Sequence, residues 1–261
     1  MNSVVPASPA RIGIVDYLNT RPLAWGLRSG VAPPDIEAVF APPARLADML
    51  KAAEIEVGLV PVIETERLPG AQVIPGTCIA ALREVRSVLL VSRRPIARVR
   101  RIALDENSRT SAALVRLLSL ERWGIEPEFT AAAPDLDAML EDADAALVIG
   151  DPALRIERAD LQIWDLAAAW RAMTGLPFVF AVWTARAGFE PAPRLESLFC
   201  HSLEQGMAHL TEIVAQAQHE TGLDPGLLHR YYSEHLHFEL GAAERAGMNL
   251  FLERCRQHQL V

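Results

Sequence analysis

Two short polar stretches carry the residue types from which a site for a small acid could be built. The first is Asp16-Tyr17-Leu18-Asn19-Thr20, set between the apolar run Ile12–Val15 and a helix expected to begin at Arg21-Pro22-Leu23. Proline suits the first turn of a helix, where its missing N–H costs nothing. Asn19 or Thr20 then falls at the N-cap, with a side-chain oxygen to offer and free backbone N–H groups beyond it. The second stretch repeats the design. Arg101–Leu104 runs into Asp105-Glu106-Asn107-Ser108-Arg109-Thr110-Ser111, followed by a helix with Leu114, Val115, Leu117 and Leu118 at helical spacing. Ser108, Thr110 and Ser111 supply hydroxyls there, and Arg109 supplies a fork of donors. Either corner alone reads as a helix cap. Helix N-termini favour anions, so a pair of such corners predicts a ligand with two acidic ends held between two lobes.

The elements that must position these corners follow a strand–helix alternation. After the first corner, Pro33–Phe40 reads as a strand, Ala44–Ala53 as a helix and Val57–Val62 as an apolar strand, the pattern of a mainly parallel sheet. Val73–Gly76 reads as strand and turn, with Cys78–Ala81 a further apolar stretch. Val85–Ser92 reads as a strand buried on both faces, and Arg93-Arg94-Pro95 as its end. The second half repeats the plan: helix over 110–123, strand over 127–130, helix over 136–141 and strand over 145–150. Asp151-Pro152 has the form of an N-cap followed by proline, although Gly150 and Asp151 also stand at an outward-facing strand end where a ligand could be met. Phe178–Thr184 is a strongly apolar strand, and from Pro193 onward the pattern is helical. The expected fold is a two-lobe α/β fold of the periplasmic-binding-protein type (type II), with mixed sheets and a helical C-terminal tail. Residues 11–91 with 184–261 make one lobe and 92–183 the other, and the ligand lies in the cleft between them.

Composition excludes several classes. Of the 261 residues 51% are hydrophobic and 22% charged, which is ordinary globular usage. The net charge of −8 argues against nucleic acid as a partner. Such a charge would weakly repel an acidic ligand, but salt screens it beyond about 8 Å, so local donors decide. Met1–Ala10 lacks the basic and apolar regions of a signal peptide, and no apolar run reaches the length of a membrane span, so a cytoplasmic protein without membrane contact is expected, as monomer or homodimer. Cys78, Cys200 and Cys255 are few and widely spaced, as in a reducing compartment. All seven histidines lie at or beyond His201, and the pair His235 and His237 has no nearby carboxylate to complete a metal set; no metal is expected.

Arg11-Ile12-Gly13 leading into Tyr17-Leu18-Asn19-Thr20-Arg21-Pro22-Leu23 resembles the chorismate dehydratases of the futalosine route to menaquinone. So do Val57–Val62, Val85–Leu90, Ser108-Arg109-Thr110-Ser111, Ile149-Gly150-Asp151-Pro152, Gly175–Val179 and the Tyr231-Tyr232…Leu240-Gly241 tail. The resemblance spans the chain, with one departure: the family commonly has Ser where Asp16 stands. The related dihydroxynaphthoate synthase shares the fold but opens on a Ser-Pro-Cys-Pro-Asn-Asp type of turn and uses a second-lobe histidine, which this chain lacks. What the resemblance implies is a cofactor-free carbon–oxygen lyase that removes water from chorismate to give 3-[(1-carboxyvinyl)oxy]benzoate. A non-catalytic small-carboxylate binder of the same fold is the competing expectation. On this reading Asn19 acts at the reacting carbons. Tyr17, Thr20, Ser87, Asn107, Ser108, Arg109, Thr110, Gly150 and Asp151 hold the dicarboxylate, with Tyr17 more a wall than a catalyst.

Overall fold

The computed structural model describes residues 9–28, 33–191 and 193–261; of the stretch read as lacking a leader, residues 1–8 lie outside the described residues. In chain order the strands are β1 (Ala10–Val15), β2 (Ile36–Ala41), β3 (Val57–Pro61), β4 (Gln72–Ala81), β5 (Val88–Ser92), β6 (Arg101–Asp105), β7 (Glu128–Ala132), β8 (Ala145–Ile149), β9 (Gln162–Asp165), β10 (Phe178–Ala185) and β11 (His237–Glu239). The α-helices are α1 (Trp25–Arg28), α2 (Pro43–Lys51), α3 (Arg109–Leu118), α4 (Leu136–Asp142), α5 (Leu166–Thr174), α6 (Arg194–Ala208), α7 (Leu210–Thr221), α8 (Pro225–Arg230) and α9 (Ala242–Gln257).

Two mixed sheets organise them. The first has the order β11-β4-β10-β3-β1-β2 and the second β7-β6-β8-β5-β9. β1 runs parallel to β2 and β3, while β10 is antiparallel to β3 and β4. In the second sheet β6 is parallel to β7 and β8, and β5 is antiparallel to β8 and β9. The chain therefore changes sheet before β5 and returns before β10, so the sheets divide it earlier than the boundaries expected from sequence, 91/92 and 183/184. A fully buried strand reads the same in either sheet, and only its partners decide where it belongs.

The outward crossing has its own anchor. Val85 and Arg86 do not extend β5; their N–H groups donate to Asp165 Oδ2 at 2.9 and 2.7 Å, and Arg86 turns at φ 65°. The other oxygen of Asp165 accepts from Ala168 N at 3.0 Å and so caps α5. On the return, Gly175 ends α5 at φ 77°, and Trp170 Nε1 donates to Pro177 O at 3.1 Å. The tail completes both lobes: Phe251 of α9 meets Trp170 and Phe178 edge-on, with ring centres 6.0 and 5.0 Å apart.

Three local expectations change. The helix expected from Arg21 is a 3-10 turn at Leu18–Thr20, and α1 starts only at Trp25. Thr20 Oγ1 explains part of this, since it donates toward Val15 O and Tyr17 O and closes a tight turn instead of opening a helix. The expected turn at Pro75-Gly76 lies inside the single strand β4, because Gly76 takes φ 96° without ending the pairing. A side chain there would also meet Cys200 Sγ at 2.8 Å. The histidine pair separates to different acids, His235 near Glu84 and His237 near Glu244.

Candidate functional site

A cleft opens between the two sheets, spanning about 600 Å³ when the open solvent at its mouth is included. The first sheet and its turns supply Val15, Tyr17, Asn19, Thr20, Pro43, Pro61, Ile79, Phe180 and Ala181. The second side supplies Ser87, Val88, Asn107, Ser108, Arg109, Ser111, Ile149 and Gly150, with Val85 at the crossing. The apolar lining residues suit a ring, and the polar ones, which come from both corners, suit its substituents.

The first corner offers an acceptor. Asn19 Oδ1 is buried and has no hydrogen-bond partner among the described residues, an expensive state unless a ligand or water completes it. The turn that carries it is fixed from the opposite lobe: Asp151 Oδ1 accepts from Leu18 N at 3.1 Å. Beside it, the Tyr17 ring lies against Gly150, where an added side chain would come within 3.4 Å. Burial, then the nearby Asp105 and Asp151, push the Tyr17 hydroxyl up to about 12, so it stays protonated as a donor at neutral pH.

The second corner offers donors. Ser108 occupies the N-cap of α3, and its side chain makes no capping bond. Ser108, Arg109 and Ser111 at the start of α3 line the cleft, at the positive end of the helix dipole, where the first N–H groups have no partner within the helix. Asp105 holds the approach to this helix. Its Oδ1 accepts from Asn107 N at 2.9 Å, and Ser108 N donates to Asp105 O at 3.0 Å. Burial raises the Asp105 carboxyl above its usual range, opposed by the Asn107 bonds.

Arg109 lines the cleft but its terminal nitrogens are engaged: Nη2 donates to Asp48 at 2.8 Å and Nη1 to the buried Glu64 at 3.1 Å. Both carboxylates belong to the first lobe, so the ion pairs cross the cleft instead of staying within the lobe of Arg109. Thr110 and Asp151, expected to touch ligand, are not among the lining residues. Thr110 Oγ1 accepts from Ile63 N at 3.3 Å, and Asp151 caps the Asn19 turn; both tie one lobe to the other. Burial raises the Asp151 carboxyl, opposed by the Leu18 N–H and by Arg21 and Arg155. Instead of capping its own helix, Asp151 precedes only a 3-10 turn at Ala153–Arg155.

Asp16, the departure from the family pattern, does not line the cleft. It is exposed and pairs with Arg28 at 2.7 Å in an outer groove. Ser111 joins the lining although it was not among the binding residues expected; its hydroxyl at the helix start was the available signal. Phe180 and Ala181 carried none, because a residue of an apolar strand does not announce which face meets a cleft.

Two mixed sheets flanked by helices, with a cleft between them, define a protein of periplasmic-binding-protein-like fold. Solved structures agree: a protein of Archaeoglobus fulgidus superposes with a TM-score of 0.77 at 18% identity, over 96% of this chain and 98% of that one. The periplasmic aliphatic sulphonate binding protein of Escherichia coli superposes with a TM-score of 0.67 at 16% identity, over 98% and 89%. The sequence profile of the family described as menaquinone biosynthesis matches residues 10–257, and the chain belongs to that family. A curated relative, the chorismate dehydratase of Thermus thermophilus, is 28% identical over 94% of each chain.

Proposed function

We propose that this enzyme of menaquinone biosynthesis is a chorismate dehydratase, a hydro-lyase that forms 3-[(1-carboxyvinyl)oxy]benzoate. The observation that carries the reading is the buried, unpartnered Oδ1 of Asn19, a residue that lines a cleft whose other side is lined by Ser108, Arg109 and Ser111 at the α3 N-terminus. Family membership and the dehydratase relative support it. The reaction breaks the C3–H and C4–O bonds of chorismate and makes the ring aromatic; proton and hydroxide leave as water. The C3 proton is acidified by conjugation with the ring carboxylate, so the protein's task is to hold two carboxylates, receive one proton and assist the leaving hydroxyl.

Ser87, Ser108, Ser111 and the α3 N-terminus are assigned to carboxylate binding. Tyr17, Thr20, Asn107 and Gly150 shape the contact, and Asn19 is assigned to positioning or accepting the proton at C3. A neutral amide is a weak base, so a substrate carboxylate acting with it is consistent with the chemistry. Arg109 contributes the lesser share, because two of its N–H groups already serve Asp48 and Glu64. Thr110 and Asp151 act through the turns they brace. The test is direct: purified protein is incubated with chorismate while the ultraviolet spectrum is followed. Appearance of the aromatic product supports the dehydratase. Saturable binding without product would assign a carboxylate-binding protein of the same fold.

A further inference from the structure

Behind the cleft wall, two buried hydroxyls meet. Tyr231, in the turn that follows α8, places its OH 2.8 Å from Ser87 Oγ. Their exposures are only 1% each, so no bulk solvent competes for the bond. Ser87 stands just after the crossing between lobes; its carbonyl accepts from Gly150 N at 2.8 Å, which joins two backbone segments on the second side of the cleft. A serine hydroxyl has one hydrogen to give and can accept from elsewhere. A phenol is the stronger acid of the pair, so Tyr231 donates and Ser87 accepts. The hydrogen of Ser87 is then not used toward Tyr231 and is available to a group in the cleft that Ser87 lines.

We infer that Tyr231 is a positioning residue: by donating to Ser87 it commits the Ser87 hydroxyl to donate to a carboxylate in the cleft. Without the phenol the serine can rotate, and its hydrogen can turn to a carbonyl instead of the ligand. The tail of the chain thus sets the polarity of a donor that belongs to a different part of the fold. Tyr231 never touches the ligand. This inference rests on the dehydratase reading only for the identity of the carboxylate.

The experiment compares Tyr231→Phe, Ser87→Ala and the double variant in the full chain. Affinity for 3-[(1-carboxyvinyl)oxy]benzoate is measured by calorimetry, and KM and kcat for chorismate by ultraviolet absorbance. Tyr231→Phe is expected to raise Kd and KM about three- to tenfold, the range of one neutral hydrogen bond, with kcat held within about twofold. In the Ser87→Ala background the same change should add nothing, because its only route to the ligand is gone. Equal effects in both backgrounds would show that Tyr231 acts by packing, and unchanged or tighter binding in Tyr231→Phe would show that Ser87 donates to the phenol; either overturns the inference. A second variant keeps the ring and the donor: 3-fluorotyrosine at position 231 has a more acidic hydroxyl and should leave Kd unchanged or lower, and a raised Kd would count against the assignment. Wild-type protein that binds the product but does not turn over chorismate would remove the dehydratase reading, while the Kd comparison would still decide the role of Tyr231.

Discussion

The two polar corners look alike as sequence and behave differently as structure. The Asp105–Ser111 corner holds its own approach: Asp105 braces Asn107 and Ser108, and α3 follows at once, while Arg109 and Thr110 within it reach across to the first lobe. The Asp16–Thr20 corner does not. Its 3-10 turn has its leading N–H satisfied by Asp151, a residue of the other lobe, and it presents an unpartnered amide oxygen. One corner thus has donor residues on a locally braced approach, suited to carboxylates. The other is an acceptor whose geometry is completed only when the lobes stand together. Binding groups can be built locally, whereas a group that acts on the substrate gains from being ordered by closure, when water is excluded.

That contrast can be broken. Asn19→Ala removes the acceptor and is expected to lower kcat by a hundredfold or more, roughly the range of a positioned proton-transfer group, with the circular dichroism spectrum unchanged. Near-normal turnover would reduce Asn19 to a turn residue. Asp151→Ala takes the borrowed cap from the first corner. A lost cap costs about 0.5–2 kcal/mol, and if that falls on the ordered turn kcat drops by up to about thirtyfold, with KM changed less. Asp151→Asn, which keeps an acceptor, should recover part of the loss; equal damage from both variants would mean that the charge matters more than the cap.

Arg109→Met tests the second corner from the other direction. Among the described residues the buried Glu64 would keep only Arg67 as an ion-pair partner, at 2.9 Å, and unfolding in denaturant should show a loss of about 1–3 kcal/mol. If Arg109 chiefly clasps the lobes, this loss of stability will accompany a modest rise in KM. A collapse of chorismate affinity without loss of stability would make it a direct ligand for the substrate. The smallest effect belongs to Asp16→Ser. An exposed ion pair is worth about 0–1 kcal/mol, so restoring the family's usual residue should leave kcat/KM within about twofold. A large gain in activity would mean that the Asp16 charge reaches the cleft.

Much of this was legible in the chain. The alternation of apolar runs with helical stripes gave the two-lobe α/β fold, and the hydroxyl-rich start of α3 gave the donor side of the cleft. Local signals misled where a residue acts at a distance. Asp151-Pro152 has the form of a helix cap, yet its carboxylate serves Leu18 in the other lobe. Arg109 has the form of a ligand-binding arginine, yet it spans to Asp48 and Glu64. Phe180 and Tyr231 belong to elements whose pattern speaks only of burial, so neither the wall nor the support behind Ser87 could be read from spacing.

The sequence by itself determined most of the strands and helices and where the polar corners interrupt them, though not the start of α1 or the continuity of β4, because periodicity and turn chemistry act over a few neighbouring residues. Only the tertiary structure decided which sheet β5 and β10 join, which carboxylates engage Arg109, and which hydroxyl stands behind Ser87. Those are contacts between residues far apart in the chain. They form because burial brings the polar groups together and leaves each in need of a partner, and nothing local encodes which partner that will be.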